Sequence, residues 1–191
     1  LIDANLIYEQ RRVESATYIF RHALIRDAAY ESMVTSHQKE VHLRIANSLE
    51  TYFPEAVEES PINIAQHLAQ ARLFEKATDY GIKDIEKQLK SSANYEAIAI
   101  GKIVAKWINN ISDTFIKEEL KLKRDAIILP AVMTTSGYGS EELFQLSNEI
   151  KKSVELLNNI NPNIDLKFRN ECLDKADLIE FLCFHYTSQR I

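Results

Sequence analysis

Only four glycines and four prolines punctuate this chain of 191 residues, and that scarcity constrains its fold more than any other feature. An all-β sandwich needs a turn signal about every 8–12 residues, which so few breakers do not supply. Helices joined by short connections remain, and apolar residues do recur at the steps of three and four that helices require. With 46% hydrophobic and 27% charged residues, the chain can bury a core in one or two domains and is too apolar for disorder. The longest apolar run, Ala126-Ile127-Ile128-Leu129-Pro130-Ala131-Val132-Met133, falls well short of the ~20 residues of a membrane-spanning helix. No bilayer span is expected.

The net charge of −5 argues against phosphate recognition. Arg11, Arg12, Arg21 and Arg26 are offset by Asp3, Glu9, Glu14, Asp27 and Glu31, which leaves no basic face. Nucleic acid is therefore not an expected partner. The chain starts at Leu1 without Met and without the order of a signal peptide, which reads as a piece of a longer protein. Cys172 and Cys183 would stand about 16 Å apart on one continuous helix, beyond disulfide reach. A reducing, cytoplasmic setting is expected.

Along the chain, Thr17-Tyr18-Ile19-Phe20-Arg21 is β-branched and aromatic, follows the polar stretch Gln10 to Ser15, and predicts a short strand after a turn. Helical spacing begins at Ala23. A second helix carries Val41, Ile45, Leu49, Tyr52 and Phe53 on one side, with Thr35 or Ser36 as its N-cap, and ends before Pro54. Residues 54–60, with Glu55, Glu58 and Glu59, read as a solvated connection and a candidate boundary. Ser60-Pro61 restarts a helix, with Ser as N-cap and Pro at the first helical position.

Beyond it, Ile64, Leu68 and Ala71 stripe one helix and Phe74, Ala77, Gly81, Ile85 and Leu89 the next. Ala93 to Ile111 is apolar over more than one stripe, which predicts an inner helix covered on two sides. Gly81 and Gly101 lie inside helices, where Gly is disfavoured by ~1 kcal/mol relative to Ala, and so predict close approach of backbones. A long helix follows from Ser112 to Met133, with Pro130 predicting a kink or break. Gly137-Tyr138-Gly139 is a turn, and Ser140 caps a helix with Glu141 and Glu142 in its first turn and Leu143, Leu146, Ile150, Val154 and Leu157 on its stripe. A last helix places Phe168, Cys172, Ala176, Ile179 and Cys183 on one face.

The run from Tyr18 to Met33, Tyr-Ile-Phe-Arg-His-Ala-Leu-Ile-Arg-Asp-Ala-Ala-Tyr-Glu-Ser-Met, closely resembles the segment joining the NTPase region to the helical repeats in bacterial signal-transduction ATPases of the STAND type. Many of those chains begin with a class III adenylate or guanylate cyclase domain. The resemblance continues through His42-Leu43-Arg44-Ile45-Ala46, Ala65-Gln66-His67-Leu68, Phe74 to Tyr80 and Ser92 to Ile98, and more weakly through Leu129 to Tyr138. It covers residues 8–157. It implies a winged-helix-like end over residues 1–34, a linking helix and acidic connection over 35–59, and tetratricopeptide-like (TPR-like) helix pairs over 60–191. Such repeats bind partners rather than catalyse. Arg72 stands where these repeats usually turn on Gly, the 34-residue spacing is not clean, and the match fades beyond Asn158.

Catalytic readings are weak by comparison. Gly137-Tyr138-Gly139 follows a helix where a dinucleotide fingerprint follows a strand, and neither a Walker lysine motif nor cyclase metal carboxylates are found. His37 and His42 miss the i, i+4 spacing that aims two imidazoles at one zinc, and Cys172, Cys183 and His185 lack paired-ligand spacing. His22, Asp27 and Tyr30 suggest an acid–base group, but the favoured reading packs His22 at the strand-to-helix junction and leaves Asp27 to the surface or a neighbouring Arg. Trp107 and other aromatics either line a concave peptide surface or fill the core. The cluster Lys117, Lys121, Lys123 and Arg124, interleaved with Glu118, Glu119 and Asp125, reads as a solvated helix face with local ion pairs.

The expected fold is all-α, a right-handed TPR-like solenoid of antiparallel helix pairs behind a small winged-helix-like remnant with one strand or hairpin. The expected role is a non-catalytic regulatory and protein-interaction module, with no catalytic residue, no cofactor and no metal. Its expected partners are a protein or peptide and the NTPase region of the parent chain. An effector-sensing repeat domain of a transcription activator resembling the maltose-type regulators is the alternative.

Overall fold

A computed structural model describes residues 6–12, 15–162 and 165–188; Asp3 and Glu14, invoked in the charge balance, lie outside them. The chain opens with an antiparallel hairpin of β1 (Ile7–Arg12) and β2 (Ser15–Phe20), in register Ile7 with Phe20 and Glu9 with Tyr18. One strand was expected to stand out here. Its partner escapes notice because Glu9, Gln10, Arg11 and Arg12 read as a polar turn, although the edge of a two-stranded ribbon tolerates such residues.

Nine helices follow among the described residues: α1 (Ala23–Glu31), α2 (Thr35–Tyr52), α3 (Pro54–Glu59), α4 (Pro61–Gln70), α5 (Phe74–Lys90), α6 (Asn94–Ile108), α7 (Thr114–Ser136), α8 (Glu141–Ile160) and α9 (Leu166–Ser188). The fold is all-α apart from the hairpin. From α4 to α9 each helix packs against the next in sequence, α7 also touches α5, and α2 packs against α3 and α4.

Several ends differ from expectation. α2 starts after Val34, which has no side chain to cap it, so neither Thr35 nor Ser36 is the N-cap. Ser60 occupies the N-cap position of α4 without a side-chain cap bond, while Pro61 does take the first helical position. Residues 54–59 form α3 instead of an irregular connection, with Pro54 at its start and Glu55 in the first turn, both favourable at a helix N-terminus. Lys87 Nζ of α5 donates to the carbonyls of Glu58, at 3.2 Å, and Glu59, placing a cation at the C-terminal end of α3. Glu50 of α2 accepts from Lys76 Nζ at 2.8 Å and Tyr80 Oη at 2.6 Å. These bonds hold the Glu50 carboxyl below its ordinary pKa, while burial and the carboxylate push Tyr80 up to about 12.

α4 and α5 end in the same way. Leu73 N–H donates to Leu68 O and Arg72 N–H to Ala69 O; Ala93 N–H donates to Gln88 O and Ser92 N–H to Leu89 O. Both are Schellman turns, and Arg72 (φ 67°) and Ser92 (φ 60°) adopt the left-handed conformation that Gly usually fills there. α7 passes through Pro130 without a break and runs on to Ser136. Its N-cap is Asp113, whose side chain accepts from Ile116 N–H at 2.9 Å. Ser140 caps α8 as expected, accepting from Leu143 N–H at 3.3 Å.

The expected stripes from α4 onward are buried or half-buried, whereas Ile45, Tyr52 and Phe53 of the expected α2 stripe are exposed. Ile64, Leu68, Ala77 and Ala46 form one cluster; Ile85, Ala97, Val104, Ile108 and Ile128 a second; Leu143, Ile150, Val154, Leu157, Cys172, Ala176, Ile179 and Cys183 belong to a third. Full burial of such aliphatic side chains contributes about 1.5–3 kcal/mol each. Trp107 is half-buried against the first two clusters, a packing residue rather than an exposed anchor. A Cβ on Gly81 would stand 2.4 Å from Val104 Cγ2 and 3.1 Å from Trp107 Cζ3, and one on Gly101 3.2 Å from Ile128 Cγ2. Both glycines therefore mark close helix crossings, and the tighter is Gly81.

Ala gains the same helix propensity over Gly at either site, so the two substitutions differ only by packing. Val104 is fully buried and holds one strongly preferred rotamer in a helix. Gly81→Ala is expected to be less stable than Gly101→Ala by about 1–3 kcal/mol, read from urea unfolding. Equal stability of the two variants would contradict the close crossing at Gly81.

Candidate functional site

One candidate is a groove of about 310 Å³ crossing α6, α7 and α8. Close approach at Gly101 shapes its floor, where Ile98, Ile128 and Val132 offer apolar surface. Its walls carry Lys102, Arg124, Glu142 and Glu149; Lys102 of α6 pairs with Glu142 of α8 at 3.6 Å, and Glu149 is paired from outside the groove by Lys121 of α7. The bond from Lys121 holds Glu149 below its ordinary pKa. Arg124 lines the groove and turns its guanidinium back to Asp125, donating from Nε to Oδ1 at 2.8 Å.

Asp125 is the exceptional residue. Its neighbours in sequence suggested a solvated face, yet it is fully buried, and its Oδ2 has no hydrogen-bond partner among the described residues. Burial raises its pKa, against the opposing pull of the Arg124 charge. On the same interface Glu118 Oε2 accepts from the buried Ser153 hydroxyl at 2.9 Å. The charge cluster of α7 is thus partly an interface with α8. Lys117 remains local, donating to Asn109 O at 3.2 Å.

The other sequence candidates separate. His22 is exposed at the start of α1 and not packed as expected, while Asp27 pairs with Arg26 Nε at 2.8 Å. Tyr30 joins neither, because its hydroxyl meets His42 Nε2 at 2.9 Å. His37 is exposed beside Glu40 at 3.8 Å. His42 instead meets His67 of α4, Nδ1 to Nδ1 at 2.8 Å, a pairing of residues distant in sequence that no spacing rule reveals. Cys172 and Cys183 are buried, and burial pushes the Cys172 thiol up to about 11, far from a reactive thiolate. His185 stacks edge-on against Phe181. Gly137 (φ 78°) and Gly139 (φ 91°) make the turn between α7 and α8.

Among the described residues no group of three or more His, Cys, Asp or Glu side chains is placed to hold a metal ion, and no helix is long and apolar enough to cross a membrane. What the groove offers chemically is an apolar floor between charged walls of both signs, suited to holding a chain of mixed character rather than to activating a nucleophile. Comparison of the chain with models of protein families, with characterised proteins and with solved structures returns no match.

A group whose pKa is raised by folding contributes most stability below its unfolded value, near 3.8 for Asp, and that contribution is lost as pH rises through the folded value. The stability of the native chain minus that of Asp125→Asn should therefore fall as pH is raised from 4 to 7. Urea titrations of both proteins across that range measure it; a difference that grows with pH would mean that Arg124 outweighs burial.

Proposed function

We propose that this chain is a non-catalytic regulatory and protein-interaction module of a larger bacterial signal-transduction ATPase of the STAND type, acting through an attached NTPase region.

 It rests on residues that resemble the linker and repeat segments of those proteins, many of which are fused to a cyclase domain. The observation that carries it is the unbroken packing of each helix from α4 to α9 on the next, with a groove running across three of them. Helices stacked in sequence expose a wide surface and bend as units, so a partner seated there changes how an attached domain is held. Two further features support TPR-like pairing. The starts of α4 and α6 lie close to the roughly 34-residue TPR period, and the α4–α5 and α5–α6 turns share one geometry. The hairpin and α1 stand in the place of the winged-helix-like end, the cytoplasm is the compartment, and a protein or peptide is the partner.

Peptides selected from a displayed library on the native chain are expected to occupy the groove. Their affinity should drop about tenfold or more, ~1.4 kcal/mol, on Ala105→Arg, which fills the groove wall without touching the Gly101 crossing. Calorimetry with Mg-ATP should give no binding heat. Micromolar ATP binding, or peptide affinity indifferent to Ala105→Arg at unchanged thermal stability, would overturn the reading.

A further inference from the structure

α2 and α4 are joined first by apolar packing. Ala46, one turn after His42, is buried in one cluster with Ile64 and Leu68, which flank His67 in sequence. That packing sets the two helices at a spacing where the imidazoles meet, His42 Nδ1 at 2.8 Å from His67 Nδ1, with ring centroids 5.0 Å apart. On the other edge of its ring, His42 Nε2 meets Tyr30 Oη at 2.9 Å. Both histidines are half-buried and Tyr30 is exposed, so the pair is open to solvent.

Two Nδ1 atoms at this distance need something positive between them. One proton serves: in the tautomer where His67 Nδ1–H donates to His42 Nδ1, His42 Nε2–H donates to the Tyr30 hydroxyl oxygen. A metal ion serves in the same way by accepting a lone pair from each nitrogen. In that tautomer His42 already has the arrangement of a ligating imidazole, whose far N–H is held by an outer partner. His67 reaches it by passing its proton from Nδ1 to Nε2 through solvent, so neither ring gains or loses a proton. Nitrogens bound at about 2.0–2.1 Å to one tetrahedral ion stand about 3.3 Å apart, and the contact needs to open by only about half an ångström.

We propose that His42 and His67 form a two-imidazole site for a divalent cation of the zinc and copper class, which ties α2 to α4 through the two Nδ1 atoms.

The donors are nitrogen and α4 supplies no carboxylate, a set that selects zinc, copper or nickel over calcium and magnesium. Two protein ligands leave the remaining positions of the ion to water. Burial lowers the pKa of both histidines, which favours the neutral form that ligates. The site needs no third side chain, and so it is compatible with the lack of larger clusters among the described residues. Because the two histidines are 25 residues apart in sequence, an ion held between them cross-links elements that only folding brings together, and it therefore stabilises the native chain. The site goes beyond the proposed function and does not rest on it.

The test uses the whole chain and zinc chloride. In nitrogen-15 imidazole spectra at pH 7, zinc should move the Nδ1 signals of His42 and His67 together and leave those of His22, His37 and His185 in place. The urea midpoint should rise with zinc concentration, as for any ligand of the native state, and magnesium should not raise it. His42→Gln and His67→Gln should each weaken zinc binding about tenfold or more, the least that loss of even an outer partner costs, while His37→Gln should leave it unchanged. Zinc shifts at one of the two histidines alone, shifts confined to the other three as for an adventitious ion only, a midpoint indifferent to zinc, or zinc affinity that survives the loss of either histidine would overturn the site. Should the glutamine variants fail to fold, the spectra of the native chain decide alone.

Discussion

Each helix from α4 to α9 carries an apolar stripe that it cannot bury by itself, and the mutual covering of these stripes is the constraint on which the rest of the structure depends. α6 shows it most clearly. Ala97, Ile98, Gly101, Val104 and Ile108 are all buried, more than one neighbour can cover, so α5 and α7 close on it from both sides. That closure requires near contact, and Gly81 and Gly101 supply it by having no side chain at the crossings. A glycine inside a helix costs about 1 kcal/mol of propensity, which the buried contacts of Val104, Trp107 and Ile128 offset.

The groove is a consequence of the same packing. Where α6, α7 and α8 meet, the helices come together over Gly101 and Ile128, and the charged residues flanking the stripes are left as walls. Lys102, Arg124, Glu142 and Glu149 are therefore positioned by the apolar residues beside them. Asp125 is carried further, into the interface itself, because it follows Arg124 on a helix whose buried side also holds Leu122, Ile128 and Leu129. A buried carboxylate opposes stability unless it is paired and hydrogen-bonded. Arg124 meets half of that demand and leaves Oδ2 without a partner.

Much of this was legible in the residues. The stripes of α8 and α9, the Ser140 cap and the close crossings at both glycines follow from spacing and from the chemistry of single side chains. Three kinds of feature were not. β1 and α3 are short and polar, so local pattern carries little signal and pairing or packing decides them. The N-cap of α2 is Val34, which satisfies no rule of side-chain capping, and Pro130 lies inside α7, which runs on to Ser136, where a kink or break was expected. Finally, Asp125 and the His42–His67 contact are tertiary. The first depends on which face of α7 meets α8, and the second brings together residues of α2 and α4, neither of which spacing along one helix encodes. The groove belongs to the same class: its floor was visible as stripes, but its walls exist only once three helices are assembled.

The molecule consequently joins two regimes. The helices from α4 onward are held by buried apolar surface, which pH and salt hardly affect, and α2 joins them by burying Ala46 with Ile64 and Leu68. α1 lacks that anchorage, since it buries nothing, and its links to α2 are polar, Tyr30 Oη to His42 Nε2 and Gln38 Nε2 to Tyr30 O. Hydrogen bonds to a titrating group respond to solution conditions in a way that burial does not. The join between α1 and α2 is therefore polar where the rest of the stack is held by apolar burial.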